Sequence, residues 1–162
     1  MKIDLSKLNY SFKKKPILVG GKAMEFYGLR KSGEDIDLIA TEEDMAALIK
    51  LYPNRVKDLW GDLGVCPFEF EIWRTINLLD YAYYSDNSTE KENFLIISIE
   101  KLLLMKALAM KKEKYLKDLE LITNFISNNQ SKKYEDQVRI NNRILKNIAD
   151  ITYIQKTGPK NR

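Results

Sequence analysis

Asp35 and Asp37 stand one residue apart in "EDIDLIA", inside an otherwise apolar run. On a strand, residues two apart point to the same face. The two carboxylates therefore project together and repel. A cation between them removes that cost, and carboxylate pairs of this kind hold Mg²⁺ while substrate phosphates complete its shell. A second pair, Glu69 and Glu71, lies in "FEFE", and either could supply a third ligand. Carboxylates on adjacent strands suit metal ions that bridge an attacking and a leaving oxygen. The chain has no histidine and one cysteine, Cys66. That removes Ser-His-Asp and Cys-His catalysis, the usual zinc ligand sets and an internal disulfide. A metal here has oxygen ligands, which means Mg²⁺, Mn²⁺ or Ca²⁺ rather than zinc or copper.

Upstream, Val19-Gly20-Gly21 ends a short apolar strand and opens a helix. Glycine lets a ligand approach the backbone closely, and a helix N-terminus offers free N–H groups to phosphate. Taken with the aspartates, the glycines would hold a triphosphate and Asp35 and Asp37 its metal. Lys106 is the other residue that asks for a partner. It sits among Leu102, Leu103, Met105, Ala107, Ala109 and Met110, in a helix that is apolar nearly all round. Such a lysine needs a snorkelling path or an anion. Asp118 lies four residues after Lys114, so it can serve only as an i,i+4 partner worth roughly 0.3 kcal/mol, unless it has a role in the site.

These residues need elements to position them. "PILVGG" predicts a strand over residues 17–19, and "KAMEFYG" a short helix closed by Gly28. "DIDLIA" is a second strand. "TEEDMAALIKLYP" is a helix, with Thr41 as N-cap, acids in its first turn and Pro53 beyond its end. "FEFEIWRTI" alternates as a third strand, with Phe68, Phe70 and Ile72 on one face and Glu69, Glu71 and Trp73 on the other. "NFLIIS" is a fourth. From Ser98, which can cap "IEKLLLMKALAMKK", the pattern is helical. A second helix is expected over 114–127, ended by polar "SNNQSKK", and a third over 132–155. The expected class is α+β: a small mixed sheet flanked by helices over residues 1–97, then a helical part over 98–162 packed on it as a single unit.

Charge is uneven. Residues 1–100 hold 13 Lys+Arg against 17 Asp+Glu, a net of −4. Residues 101–162 hold 14 against 6, a net of +8. A polyanion lying across the rear would suit this, as would a plain solvated helical surface. The same choice applies to the arc of Arg139, Arg143 and Lys146. Trp60, Trp73 and the tyrosines of "DYAYYS" could stack on a base or belong to core and rim. No apolar run approaches the roughly 20 residues of a membrane helix. The N-terminus lacks a signal-peptide layout, so a cytoplasmic location is expected.

The stretch "LVGGKAMEFYGLRKSGEDIDLI" resembles the signature of the nucleotidyltransferase superfamily related to DNA polymerase beta. Here the signature reads Val19-Gly20-Gly21, a spacer, then Asp35-Ile36-Asp37-Leu38. "SIEKLLLMKALAMKKEKYLKDLELI" is similar to the helical region of the abortive-infection (AbiEii/MenT-like) nucleotidyltransferases. The resemblance covers roughly residues 16 to 127. It implies a minimal nucleotidyltransferase fold and Mg²⁺ (or Mn²⁺) held by Asp35, Asp37 and a third acid, Glu71 ahead of Glu69. It implies Gly20 and Gly21 on the nucleotide phosphates and Lys106 on the triphosphate. Asp118 would position substrate or a basic group. Arg30 and Ser32 match an "R-x-S" often found before the aspartates. Lys22 departs from the small polar residue common after the glycines, in a stretch that contacts nucleotide. The implied reaction is transfer of a nucleoside monophosphate from an NTP to an acceptor hydroxyl. That acceptor is an RNA end, such as tRNA, in toxin-like members, which also have a cognate antitoxin. A small antibiotic-like acceptor, a protein acceptor, and a non-catalytic nucleotide-binding or complex-forming protein are the alternatives.

Overall fold

The computed structural model describes residues 3–109, 111–133, 135–137, 139–140 and 143–144. Strands β1 (Ile17–Leu18), β2 (Ile36–Ile39), β3 (Val56–Leu59), β4 (Asp62–Val65), β5 (Phe70–Trp73), β8 (Thr89–Glu90) and β9 (Leu95–Ile96) form one sheet. Its order is β3-β4-β5-β2-β1-β9-β8, and a separate hairpin pairs β6 (Thr75–Ile76) with β7 (Leu79–Asp80). The sheet is mixed. β2 runs parallel to β5 and β1 parallel to β9, while β1 and β2 are antiparallel. The helices are α1 (Gly20–Phe26), α2 (Glu42–Leu51), α3 (Tyr81–Ser85), α4 (Ile99–Leu108) and α5 (Glu113–Lys133). The α+β class and mixed sheet expected from the sequence are present. Among the described residues no helix is long and apolar enough to cross a membrane.

The core lies where the central strands bury their apolar residues. Ile17, Leu18, Leu38, Ile39, Ile72 and Ile96 are fully buried, and Met24, Met45, Leu48 and Leu102 cover them from the helices. Each such side chain contributes about 1.5–3 kcal/mol, so Leu38→Ala should cost about 2–5 kcal/mol. The helix starts follow their capping residues. The Thr41 side chain accepts from the Asp44 N–H, and acids fill the first turn of α2. Ser98 does the same for α4 by accepting from the Lys101 N–H. Asp44 is buried but fully used: its carboxylate accepts from the Tyr10 hydroxyl (2.8 Å), the Lys13 N–H (2.8 Å) and the Thr41 hydroxyl (2.7 Å). It therefore pins the N-terminal segment to the start of α2.

Two expectations fail. Phe68 is 69% exposed and left-handed (φ 55), so β5 begins at Phe70 and Phe68 lies outside the core. The polar run at 127–133 does not end a helix, because α5 continues through it to Lys133. Serine, asparagine and lysine are only mild helix penalties, and no glycine or proline stops the run. The hairpins of β3 with β4 and β6 with β7 were not anticipated, nor were α3 and β8. Most of the helix expected over 132–155 lies outside the described residues, as does Lys146 of the expected arc. Arg139 is described and pairs with Asp136.

Contacts divide the chain into two units, residues 1–123 and 124–162, with the division inside α5. The candidate site belongs to the first.

Candidate functional site

Parallel pairing of β2 with β5 puts Asp37 directly opposite Glu71. The two carboxylates sit side by side on one face of the sheet. Asp37 is held from the other side by the turn into α1. Gly20 is left-handed (φ +61), and a Cβ there would lie 2.0 Å from Asp37 Oδ2. Only glycine satisfies both demands. The Val19 N–H donates to the Asp37 carbonyl (3.0 Å), and the Gly21 N–H helps to hold the Asp37 side chain in its charged form. Thus the Gly-Gly pair and the second aspartate, distant in sequence, are one interlocked unit.

Burial pushes the Asp37 carboxyl up to about 6, and the charges of Glu71 and Asp35 push the same way against the opposing pull of Lys106. Among the described residues neither Asp35 nor Asp37 has an ion-pair partner within 4.0 Å, and Glu71 has only Lys57 at 3.8 Å. Glu69 is placed differently. It pairs with Lys7 at 2.5 Å, which holds its carboxyl below the usual range. The structure therefore brings Glu71, not Glu69, against Asp37.

The opposite wall comes from α4 and α5. Lys106 is 5% exposed and Asp118 2% exposed. The Asp118 carboxylate accepts from Arg30 Nε (2.6 Å) and Nη2 (2.9 Å), and Lys106 Nζ lies 3.0 Å from Oδ2. Burial pushes Asp118 up, but the hydrogen bonds from Arg30 and Lys106 outweigh it and leave the carboxyl below its ordinary value. Asp118 thus serves Arg30 and Lys106 rather than Lys114. The ring of Tyr115 gathers further charge, with Lys106, Lys112 and Lys114 ammonium groups at 4.6, 6.0 and 4.9 Å from its centroid.

Two cavities meet between these walls, sharing Asp37, Lys106 and Tyr115. One, of about 330 Å³, runs over Gly20, Lys57, Glu71, Trp73 and Lys112. The other, of about 590 Å³, runs over Gly21, Arg30, Asp35, Lys114 and Asp118. Such volumes suit a small ligand. Lys22 and Ser32 line neither cavity: Lys22 lies 3.9 Å from Glu25, and the Ser32 hydroxyl donates to Glu25. Ser32 and Arg30 instead pack over Gly21. Trp73 is buried against Gly64, where a Cβ would meet its ring at 2.6 Å. Trp73 is the tryptophan that enters the cavity, and Lys57 stands 5.6 Å over its ring. Sequence reading missed Lys57, Lys112 and Tyr115 as lining residues. Only the lysine-rich run around Tyr115 offered a signal.

Among the described residues no set of three or more Asp, Glu, Cys or His side chains converges enough to hold a metal ion unaided. The donor chemistry still fits a hard cation. Asp37 and Glu71 are adjacent carboxylates with Lys57, 3.8 Å from Glu71, as their one ion-pair partner among the described residues, and Mg²⁺ is usually bound by one or two carboxylates plus ligand phosphates. Compared with known proteins, the chain matches no family model, no curated protein and no solved structure.

Proposed function

We propose that this protein is a Mg²⁺-dependent nucleotidyltransferase with a minimal nucleotidyltransferase fold, acting on an RNA end. The observation that carries the reading is the pairing of Asp37 with Glu71 under Lys106, with Asp37 wedged against the Gly20–Gly21 turn. A like-charge pair beside a concentrated cationic wall is the arrangement that a metal-bound triphosphate needs. Glu71 opposite Asp37 also weighs against a non-catalytic relative of the fold.

Asp37 and Glu71 would hold Mg²⁺ or Mn²⁺, with Asp35 lining the adjoining cavity. When bound, that ion neutralises triphosphate charge and lowers the pKa of the acceptor hydroxyl. Lys106 and Arg30, held by Asp118, and Lys112 and Lys114, around Tyr115, attract and orient the phosphates. In the reaction the acceptor oxygen bonds to the α-phosphorus, the bond from that phosphorus to the bridging oxygen breaks, and pyrophosphate leaves. The hydroxyl proton passes to a carboxylate, with Glu71 in place, or to water, since the chain has no histidine. The net +8 of residues 101–162 favours RNA over a small uncharged acceptor.

Incubation with each radiolabelled NTP, Mg²⁺ and total RNA tests the reading, with the Asp35→Ala, Asp37→Ala double variant in parallel. Label in RNA from the unmutated protein alone is the expected result. No transfer to any acceptor, with no Mg²⁺-dependent NTP binding, overturns it.

A further inference from the structure

The rim of the smaller cavity carries a feature that the transfer chemistry does not use. β3 and β4 are joined by the two-residue turn Trp60–Gly61, with φ of 61° and 98°. β6 and β7 are joined by Asn77–Leu78, with φ of 54° and 62°. Both are left-handed hairpin turns, for which Asn-Gly pairs are the favourable sequence. Trp60 and Leu78 occupy left-handed positions that bulky side chains disfavour, and they are 97% and 69% exposed. Neither turn geometry nor burial selects such residues.

The two tips are fastened together. The Asp62 carboxylate accepts from the Asn77 N–H (2.7 Å), the Leu78 N–H (2.9 Å) and the Thr75 hydroxyl (2.7 Å). A Cβ on Gly61 would stand 3.1 Å from Leu78 Cδ2. Leu59 and Asp62, which flank the first tip, and Ile76 and Asn77, at the second, line the cavity that holds Asp37 and Glu71. The apolar tips therefore stand at its mouth, and the wall beyond them carries Lys57, Lys106 and Lys112.

We propose that the paired tips Trp60–Gly61 and Asn77–Leu78 are the docking platform for the single-stranded end of the RNA acceptor, with a base stacked on the Trp60 indole. This rests on the nucleotidyltransferase reading for its choice of acceptor. An exposed indole at the end of the strand that carries Lys57, next to a cavity lined by Lys57, Lys106 and Lys112, matches a ligand that alternates flat bases with phosphates. A protein partner would find only a small apolar patch at the tips, Leu59, Trp60 and Leu78, with a lysine-lined cavity beside it. Bases stack on aromatic side chains with little sequence preference, so the platform would grip a strand end and leave its identity to be read elsewhere.

The test is binding of a short single-stranded oligoribonucleotide, followed by fluorescence anisotropy, to the unmutated protein and to Trp60→Ala and Trp60→Phe. Trp60→Ala should bind about tenfold more weakly, with Trp60→Phe in between. The wild-type minus Trp60→Phe emission should be quenched by the oligonucleotide. Mg²⁺·NTP binding by calorimetry should be unchanged in both variants, and an almost fully exposed side chain leaves folding intact. Equal oligonucleotide affinity in Trp60→Ala, or an unquenched Trp60, overturns the platform even if NTP transfer proceeds. Weakened oligonucleotide binding in Trp60→Ala with no NTP binding by any variant keeps the platform and removes the transfer reaction.

Discussion

On the strand wall of the site, Asp37 faces Glu71 across a parallel pair, and burial with that neighbouring charge drives its carboxyl up to about 6. On the helix wall, Asp118 is 2% exposed, yet Arg30 and Lys106 hold its carboxyl below the ordinary value. Both walls carry enclosed acids, but the helix wall meets its acid with Lys106 at 3.0 Å and a bidentate Arg30, whereas the strand wall offers only Lys57, 3.8 Å from Glu71. A buried charge with its partners in place is structure. A buried charge that lacks them lowers stability and is released by a ligand that brings positive charge. The comparison separates the residues that hold the site's shape from those that wait for something to bind.

The sharpest way to break it is at Asp37. Asp37→Asn should reduce nucleotidyl transfer by a factor on the order of 10³ while raising stability at neutral pH by about 1–3 kcal/mol. Label transfer and thermal denaturation measure the two sides. A variant that loses both activity and stability would put Asp37 among the structural charges. Asp118→Ala should do the reverse of the stabilising effect. It leaves Arg30 and Lys106 without their shared anion and should cost about 3–5 kcal/mol, read by chemical denaturation. An unchanged midpoint would show that the helix wall needs no internal partner.

Gly20→Ala comes next. It combines a left-handed backbone with a clash against Asp37 Oδ2, and the backbone part alone should cost about 1–2 kcal/mol. Pairing it with Asp37→Gly should recover the part of the loss due to the clash, and a double-mutant cycle with no coupling would refute the interlock. The pH profile is the gentler test. The folded pKa of Asp37, about 6, lies above its ordinary value of 3.8. The native state therefore keeps this proton longer than the unfolded chain. Its contribution to stability should fall as pH rises from about 4 to about 6 and then level off. Denaturation midpoints of the wild type, but not of Asp37→Asn, should show that slope. Mg²⁺·NTP binding should weaken below about pH 6 for the same reason. The smallest effect is expected at Glu69→Gln, whose carboxylate already has Lys7. Transfer should be little changed there and strongly reduced in Glu71→Gln. The opposite ranking would move the third acid to Glu69.

Local signals made much of this visible in the chain. Thr41 and Ser98 mark helix starts because a side-chain oxygen before an apolar-periodic run caps free N–H groups. The strand carrying Asp37 was legible because the burial pattern needs only neighbouring residues, although it begins at Ile36 and leaves Asp35 just before it. What stayed hidden depends on long-range pairing. Glu69 and Glu71 look alike in "FEFE", and only the β2–β5 register and the reach of Lys7 separate them. Asp118 stood in the chain either as a surface partner of Lys114 or, through the resemblance, as a residue that positions substrate or a basic group, and its partner Arg30 lies 88 residues away. The hairpins were obscured by Trp60, Asn77 and Leu78, which accept left-handed turns without the glycine-rich sequence that normally announces them.

That 88-residue separation has a consequence for the order in which the molecule comes into being. During synthesis, Arg30, Asp37 and Glu71 leave the ribosome before Asp118. The sheet and its acids can assemble early, but Lys106 and Arg30 have no shared anchor until α5 arrives. A nascent chain would carry the acidic half of the site without the ordered basic half. Competence to bind a triphosphate would therefore be switched on late, by the docking of one helix. Pausing translation before and after α5 should show nucleotide binding appear between the two lengths.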